Sequence, residues 1–539
     1  MSVLQEVEPA RSTARPADPW PVRLIAWGLI LVGAAVRLRV YLADRSLWRD
    51  EASLALNIIH RSFGGLFRPL DYDQGAPIGF LIIQKLAVTL FGNNEFALRF
   101  WPTLASILAL PLFYRLSRLL LSRRGALIAL AVLALATGRA FYWADNKQYS
   151  TDFLLSVGLL LFAAGAFKDS INAPPAGMRN IFPLAVAGIL AIWFSHPAIF
   201  VLSGIGLAAV VRWFAEKKPR HGAREIVLLA AVWGGSFLAN YLFSLRDLTG
   251  SEYLQSYWWK IADAFAPLPT SFASLIWYKR NFLEMFQHPF EQELEGLAAL
   301  AFLLGVVVIY RRRRAVLALL LTPIFAALVA SALHQYPFNY RLLLFSVPLT
   351  TIVLAAGLDF LCQGQYRLIG ILAVALLLIS PITQTLNTLI SPPPGCEIRD
   401  SMQFIAAHRQ PGDLFYLYPT AQYGFAYYQP RFGIGGVPVT IGTRHVPTLD
   451  DYARELGQFA GKRIWVLFED PFNGDPVREI QFITQQPTAM DVLDSMGRCL
   501  FRDEPFNEYV ACYDLSQPPA QAGQWWRAAN DKLLQQSPF

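Results

Sequence analysis

The side chains best suited to chemistry stand in short polar stretches between long apolar runs, and the first stretch holds an acidic pair. Asp50 and Glu51 directly follow a Trp-Arg pair and precede ASLALNIIHRSF, which has helical spacing. A carboxylate beside a bilayer can act as a general base, because low dielectric and restricted solvent raise its pKa toward working pH. A helix cap with a second acid favoured by the helix dipole explains the pair equally well. The local sequence leaves both interpretations open.

Later polar stretches are richer in cations and aromatic hydroxyls. The segments FYWADNKQYSTDF and HQYPFNYRLLLF supply Asp145, Lys147, Tyr149, His334 and Arg341. Ionisable groups beside apolar runs tend to pair with one another or to serve a substrate. The structural alternatives are an interfacial ion pair between Asp145 and Lys147, and an Arg341 side chain that snorkels to the lipid headgroups.

Two more candidates interrupt apolar sequence. His196 stands in WFSHPAIF and Arg99 in FGNNEFALRF. A lone buried histidine is more often a hydrogen-bonded structural residue than a ligand. We nevertheless keep both residues as candidates for substrate contacts, because they lie at the same ends of the apolar runs as the other polar groups.

The composition identifies the elements that must position these groups. Hydrophobic residues make up 54% of the 539 residues, charged residues make up 16%, and the mean hydropathy is +0.36. A soluble domain is about 25% charged, so the balance argues against a cytosolic enzyme. The 36 Gly and 35 Pro have no period, and four Cys make no disulfide framework. The class is a polytopic membrane protein.

The apolar runs predict about eleven membrane-spanning helices. They lie near 23–42, 98–120, 125–142, 151–167, 181–195, 197–213, 225–245, 296–310, 315–333, 341–361 and 367–388. With a cytoplasmic N-terminus, alternation places the basic loops at 115–124, 217–224 and 311–314 inside, as the positive-inside rule requires. The net charge of +7 therefore needs no nucleic-acid partner, and the polar candidates face outward.

The sequence divides into a cytoplasmic N-terminal segment at 1–22, a transmembrane domain at 23–390 and an outward α/β domain at 391–539. The last begins at the breaker SPPPG, after which the composition is that of a soluble domain. Helices are predicted at 398–408 and 448–461, and strands at 413–419, 462–470, 498–504 and 508–515. A Cys499–Cys512 bridge and two free thiols are equally compatible with an outward compartment. The helix after Glu51 is expected to lie flat on the bilayer surface.

The polar motifs, taken in order, resemble those of the GT-C membrane glycosyltransferases. The resemblance is to the bacterial branch related to protein O-mannosyltransferases, aminoarabinose transferases and rhizobial lipopolysaccharide-sugar transferases. The matching segments are WRDE at 48–51, 75–80, FGNNEFALRFWPTLAS at 91–106, ADNKQYS at 144–150, SHP at 195–197 and YPFNYRLLLFSVPL at 336–349. Two positions depart from the related motifs: Ala76 precedes Pro77 where a lysine is usual, and Lys147 stands where an arginine is usual.

This resemblance implies a GT-C-like all-α membrane domain with interfacial helices in the first outer loop, followed by the small soluble α/β domain. It implies Asp50 as the catalytic base with Glu51 in support. The donor would be a sugar on polyprenyl phosphate, and the acceptor an envelope glycan, lipid or protein. Lys147 and Arg341 would stabilise the departing phosphate. No cofactor is required, and a divalent cation stays an open alternative, although no His/Cys cluster has ligand spacing.

The resulting hypothesis is a multi-pass glycosyltransferase of the bacterial inner membrane, inverting and with an outward site. Two alternatives stay open. One is an oligosaccharide ligase with a diphosphate-linked donor, and the other is a non-catalytic lipid or polysaccharide transporter or assembly subunit.

Overall fold

A computed structural model describes residues 18–136, 140–169, 181–215, 220–290, 293–393, 395, 397–443, 449–469, 489–503 and 508–517. The chain forms two compact units. The first consists of Met1–Ala43 and Arg61–Pro392, and the second of Asp44–His60 and Pro393–Phe539.

All regular elements in the described part of the first unit are helices. Its helices are α1 (Trp20–Tyr41), α3 (Ile78–Phe91), α4 (Glu95–Leu120), α5 (Arg123–Ala134), α6 (Tyr149–Asp169), α7 (Phe182–Phe194), α8 (Ala198–Ala215), α9 (Arg220–Asn240), α10 (Arg246–Thr249), α11 (Glu252–Ser256), α12 (Phe272–Phe290), α13 (Glu295–Arg312), α14 (Arg314–Ala332), α15 (Val347–Leu361) and α16 (Arg367–Ile390). Short 3-10 helices lie at Gly64–Phe67, Ala140–Trp143, Leu344–Ser346 and Gly364–Tyr366, and π-helical turns at Tyr241–Leu245 and Tyr257–Ile261.

This unit has the features of a multi-pass membrane protein. Seven helical segments among the described residues are long and apolar enough to cross a bilayer. In one of them, Gly222–Thr249, only 17% of the apolar window is buried inside the protein. Such a surface would be unfavourable in water, so lipid must cover it.

Small residues allow two of the central helices to approach closely. A Cβ at Gly305 of α13 would clash with the Val353 carbonyl oxygen of α15, and one at Gly357 would clash with the Ala301 oxygen. Close approach through small residues is a common way of packing helices in lipid, where burial alone supplies little attraction.

Each predicted span coincides with a helix, but only seven of the eleven are among the described segments long and apolar enough to cross a bilayer; α5, α6, α7 and α13 are not. The limits differ at two places. Helix α5 ends at Ala134 instead of 142, and Ala140–Trp143 forms a separate 3-10 helix. Helix α15 begins at Val347 instead of 341. The stretch 341–346 is mostly apolar, so hydropathy alone could not locate the start of α15. At the end of α5, Thr137, Gly138 and Arg139 interrupt the apolar run, and the prediction overlooked this break. Helix α12 was not predicted, because it lies in a stretch expected to be an outer loop.

The basic residues predicted between α4 and α5 are tied to two acids. Asp18 accepts hydrogen bonds from Arg118 at 2.6 and 2.9 Å and from Tyr114 at 2.9 Å. Asp359 in α15 accepts from Arg124 at 2.7 Å and from Ser122 at 2.8 Å. The hydrogen bond from Arg118 lowers the pKa of Asp18, so this end of the unit is fixed by ionised pairs.

The second unit is a mixed α/β domain that includes one helix from the first loop. Its elements are α2 (Arg49–His60), α17 (Ile398–His408), β1 (Leu414–Leu417), α18 (Ala421–Tyr428), β2 (Val439–Ile441), α19 (Leu449–Gly457), β3 (Arg463–Glu469), α20 (Ala489–Met496), β4 (Arg498–Asp503) and β5 (Glu508–Asp514). The strand order is β2-β1-β3-β5-β4. β1 is parallel to both β2 and β3, whereas β5 is antiparallel to β3 and β4. Side chains such as Tyr416, Trp465 and Tyr513 are fully buried around this sheet.

The predicted soluble domain is confirmed in its main elements. α17, α19, β1, β3 and the antiparallel pair β4–β5 all fall where the pattern placed them. The short elements α18, β2 and α20 were not predicted. The structure also resolves the question of the two cysteines, since Cys499 pairs with Tyr513 across the strands, Cys512 pairs with Phe501, and both thiols are free.

Helix α2 departs most from expectation. Residues 44–60 belong to the second compact unit, whereas they were predicted to be part of the transmembrane domain at 23–390. Every residue from Glu51 to Ile58 is buried, so α2 is not a surface helix with one apolar face. Its small residues Ala52, Ser53 and Ala55 permit burial on all sides, a feature that apolar spacing alone did not reveal.

Candidate active site

The acidic pair begins α2, and the structure places its two carboxylates in different surroundings. Glu51 is fully buried, and its Oε2 lies 3.5 Å from the Trp48 amide that it can cap. A glutamate at the third helical position that bonds back to the cap amide is half of a capping box. Glu51 thus has the position of a capping residue.

Asp50 keeps access to solvent. Its side chain is 18% exposed, and Oδ1 lies 3.6 Å from Arg49 Nε. Its backbone carbonyl accepts a hydrogen bond from the Ser53 hydroxyl at 3.2 Å, which ties the backbone of the first turn. The two carboxylates therefore differ in access: Glu51 is buried in a capping position, and Asp50 is part-exposed.

The candidates of the first unit begin just ahead of α6, where every residue from Tyr142 to Asp152 is buried. Lys147 Nζ donates a 2.6 Å hydrogen bond to Gln74 Oε1 in the first loop. The neighbouring Asn146 accepts from Gln84 of α3. Asp145 is fully buried, and its backbone oxygen accepts from the Lys147 amide at 2.6 Å. These bonds fix the Lys147 ammonium group and its neighbours within a buried polar segment.

Contacts between tyrosine side chains connect this segment with the residue before Arg341. The Tyr142 and Tyr149 rings contact edge to face at 6.0 Å, and the Tyr142 hydroxyl lies 3.1 Å from that of Tyr340. The next residue, Arg341, is half-buried with its guanidinium 5.4 Å from the Trp258 ring centre. The structure thus brings Lys147, Tyr149 and Arg341 into one part of the first unit.

His196 lies near the same segment, in the turn between α7 and α8. Its neighbour Ser195 is beside the Asp152 carboxylate, and Asp152 in turn lies near Tyr336. Burial lowers the pKa of His196 to about 4. The buried Nε2 has no hydrogen-bond partner among the described residues, so the ring is neutral and can accept or donate one further bond.

His334 and Arg99 occupy different surroundings. The His334 ring stacks on Phe265 at 4.5 Å and meets Trp259 edge to face at 4.5 Å, so it lies among aromatic side chains. Its backbone is in the left-handed region at φ 57°. Arg99 is buried in α4, one residue after Leu98, whose carbonyl accepts from Gln84.

A cavity of about 200 Å³ opens between the first loop and residues 243–254, the segment that contains α10. Its polar lining includes Arg68, Asp73, Gln74 and Asp247. Gln74 is also the partner of Lys147, so this cavity adjoins the buried lysine. The adjoining backbone is strained, with φ 66° at Tyr72 and 53° at Asp73, as is often found at functional sites.

Sequence reasoning missed several of these contributors. Gln74 and Gln84 hold the ADNKQYS segment, and Tyr142 links it to Tyr340. Gln84 was visible as an amide within the apolar run GFLIIQKLAV, whereas Gln74 in a polar loop gave no signal. Among the residues that the structure describes, no three His, Cys, Asp or Glu side chains are grouped to hold a metal ion.

Each unit holds groups with a chemistry of its own. The first unit holds the Lys147 ammonium group, the Arg341 guanidinium group and a polar cavity, and the second holds the part-exposed Asp50 carboxylate. A carboxylate can accept a proton, and fixed cations can stabilise a leaving phosphate.

Solved structures give the comparison that the sequence does not, since no protein-family model and no curated protein matches the chain. The oligosaccharyltransferase of Archaeoglobus fulgidus, in complex with Zn and sulfate, has 12% identity and a TM-score of 0.51, covering 90% of this chain and 72% of that one. Its apo form has 11% identity and a TM-score of 0.51, covering 94% and 76%. ArnT from Cupriavidus metallidurans bound to undecaprenyl phosphate has 14% identity and a TM-score of 0.49, covering 93% and 99%. At such identities, the similarity to the oligosaccharyltransferase shows that the two chains share a fold.

Proposed function

Because the chain has the fold of the GT-C membrane glycosyltransferases, we propose that it transfers a sugar from a polyprenyl-phosphate donor to an envelope acceptor. The acceptor is a glycan, a lipid or a protein. The proposed location is the bacterial inner membrane, with the reaction on its outer side and the soluble domain in the periplasm.

The observation that carries the proposal is the separation of the acidic pair. Glu51 is buried in a capping position, while Asp50 keeps 18% of its side chain exposed on the same helical turn. A cap alone would need only one acid. The second, exposed carboxylate on a fixed turn is what a general base requires.

In the proposed reaction the acceptor hydroxyl attacks the anomeric carbon of the donor sugar. Asp50 takes the hydroxyl proton as the new carbon–oxygen bond forms. The bond from the anomeric carbon to the phosphate oxygen breaks, and polyprenyl phosphate leaves with the electron pair. One base and one displacement invert the anomeric configuration.

The remaining candidates are assigned to substrate contacts. We assign Lys147, Tyr149 and Arg341 to the phosphate, and Asp145, His196, His334 and Arg99 to the sugar or the acceptor. The cavity beside Gln74 suits the donor sugar, because carboxylates, amides and a guanidinium group hydrogen bond hydroxyl groups.

Replacing Asp50 by Asn tests the proposal directly. The variant should lose transfer by at least about 10²-fold, the lower end of what a general base contributes, with unchanged expression and melting. Transfer is measured with purified protein and a monosaccharide on polyprenyl phosphate.

Asp71→Asn is the matched control, since Asp71 lies in the same outer loop, is 64% exposed and pairs with Arg61 at 2.8 Å. It should keep full activity. An Asp50→Asn variant as active as Asp71→Asn would refute the assignment of the base.

Oligosaccharide transfer is the second candidate, and the fold shared with an oligosaccharyltransferase favours including it. The cavity of about 200 Å³ favours a single sugar, because pockets for larger ligands measure roughly 300–1,000 Å³. Donors with one sugar on a monophosphate and with a glycan on a diphosphate would separate the two candidates. No transfer from either donor would instead favour the transporter or assembly subunit.

A further inference from the structure

The compact unit that contains the soluble domain also contains α2, and its contacts are concentrated just ahead of Asp50. Residues 44–60 and 393–539 form this unit together, and α2 packs against α18. These contacts bear on how the proposed base is held, because Asp50 is the second residue of α2.

A buried tyrosine hydroxyl caps the backbone on the N-terminal side of the acidic pair. Tyr428, the last residue of α18, is fully buried, and its hydroxyl accepts a 2.9 Å hydrogen bond from the Leu47 amide. Leu47 is also fully buried, so water cannot replace this bond. Only Trp48 and Arg49 separate the bonded amide from Asp50.

An arginine at the start of α17 holds the chain three residues earlier. Arg399 Nη1 lies 3.0 Å from Asp44 Oδ2, and Nη2 donates to the Asp44 carbonyl oxygen. The Arg399 amide donates to the Ser46 hydroxyl at 3.3 Å, and that hydroxyl lies 3.4 Å from Glu397 Oε2. A two-point guanidinium contact fixes direction as well as distance.

Further contacts fix the side chain that supplies the cap. The Arg431 guanidinium lies 5.2 Å from the Tyr428 ring centre and 4.6 Å from that of Tyr427, and it donates a 2.6 Å hydrogen bond to the Tyr427 hydroxyl. These contacts pack and orient the Tyr428 side chain independently of its bond to Leu47. A supporting shell of this kind is what a precise catalytic geometry needs.

We infer that Tyr428 and Arg399 are positioning residues for Asp50, and that holding the turn at 44–51 is the role of the C-terminal domain in the reaction. The inference rests on the proposed function of Asp50. The domain acts through the backbone, since its contacts fix residues 44, 46 and 47 and leave the Asp50 carboxylate part-exposed.

The test uses the full-length protein and the Tyr428→Phe variant. Loss of the hydroxyl should reduce kcat about tenfold to 100-fold, the range expected when a reacting group is displaced by about an ångström. The KM for the lipid-linked donor should stay within about twofold, because this inference assigns Tyr428 no donor contact. Hydrogen exchange at 44–51, followed by mass spectrometry, should become faster.

Tyr513→Phe is the matched control. Tyr513 is also fully buried in the second unit, and its hydroxyl bonds Asp494 at 2.8 Å, in the sheet instead of beside α2. The Tyr513→Phe variant should have the same kcat as the native protein and the same rate of hydrogen exchange at residues 44–51. If the role of Tyr428 were purely structural, Tyr428→Phe would lower the yield of folded protein, as Tyr513→Phe can, and would leave kcat unchanged.

Variants of Arg399 provide a second, independent test. Arg399→Ala should lower kcat, and Arg399→Lys should restore part of it, because lysine keeps the charge without the two-point contact. The inference is overturned if Tyr428→Phe and Arg399→Ala keep full kcat while Asp50→Asn is inactive. If Asp50→Asn is itself active, the proposed function fails first.

Discussion

The turn that begins α2 and the segment that leads into α6 hold their charged groups in opposite ways. At the first, the backbone is fixed by Tyr428 and Arg399 and the Asp50 side chain is left 18% exposed. At the second, the side chains themselves are buried, and Lys147 is bonded at its ammonium group to Gln74.

This difference suits the two tasks we propose for them. A base must reach a proton on a substrate that enters, so a fixed backbone with an accessible side chain is useful. A cation that stabilises a leaving phosphate acts best when it is already oriented and shielded from water. The comparison teaches that accessibility and pre-orientation can be divided between two regions of one chain.

The largest effect is expected at the buried cation, Lys147. Lys147→Met removes the charge and should lower kcat by about 10²-fold, the usual loss for one electrostatic donor. The kcat of Lys147→Arg should lie between those of Lys147→Met and the native protein. Arginine keeps the charge but does not reproduce the geometry of the 2.6 Å bond to Gln74. Transfer assays with a polyprenyl-phosphate sugar measure both variants.

Inhibition by free polyprenyl phosphate sharpens this prediction, since Lys147→Met should bind that product more weakly. The exposed Lys279 of α12 provides the control, and Lys279→Met should change neither kcat nor inhibition. Equal inhibition of Lys147→Met and the native protein would remove Lys147 from the phosphate site.

A smaller effect is expected at the capping acid. Glu51→Ala should lower the free energy of unfolding by about 1 kcal/mol, as the loss of a helix cap does. Glu51→Gln can keep the bond to the Trp48 amide and should be the more stable of the two, with kcat reduced less than tenfold. Thermal melting and transfer assays of the two variants check the difference.

The same variants can break the comparison. If Glu51→Gln melts normally but is as inactive as Asp50→Asn, the buried acid takes part in the chemistry. The separation of a capping acid from a reacting acid would then be wrong.

Local signals in the sequence were sufficient for most of the elements. Apolar runs located the membrane helices, and the short apolar runs within 462–470 and 508–515 located β3 and β5. Such signals depend on neighbours a few residues away. They failed at the start of α15, where the apolar residues Leu342, Leu343 and Leu344 precede the helix that begins at Val347.

The site was only partly accessible to the same reasoning. Charged groups next to apolar runs suggested Asp50, Lys147 and Arg341 as candidates. The groups that hold their surroundings come from remote parts of the chain: Tyr428 lies 381 residues from Leu47, and Gln74 lies 73 residues from Lys147. No periodicity connects residues so far apart, so only the fold could reveal that α2 belongs with the C-terminal domain.

The smallest effect expected concerns pH and the buried region. Burial lowers the pKa of His196 to about 4, below its value of about 6.5 in an unfolded chain. The unfolded state therefore binds a proton at a higher pH than the folded state does. The stability that the neutral ring contributes is present above about pH 6.5 and is lost as the pH falls toward 4.

Melting curves of the native protein and of His196→Asn, taken from pH 7 to pH 5, measure this contribution. The melting temperature of the native protein should fall more steeply than that of the variant, because asparagine has no proton to bind. His408→Asn, at a histidine of the second unit, controls for a general effect of removing an imidazole. Parallel curves for the native protein and His196→Asn would mean that the region around α6 tolerates a charged ring, and the contrast between a buried and an accessible region would lose one of its supports.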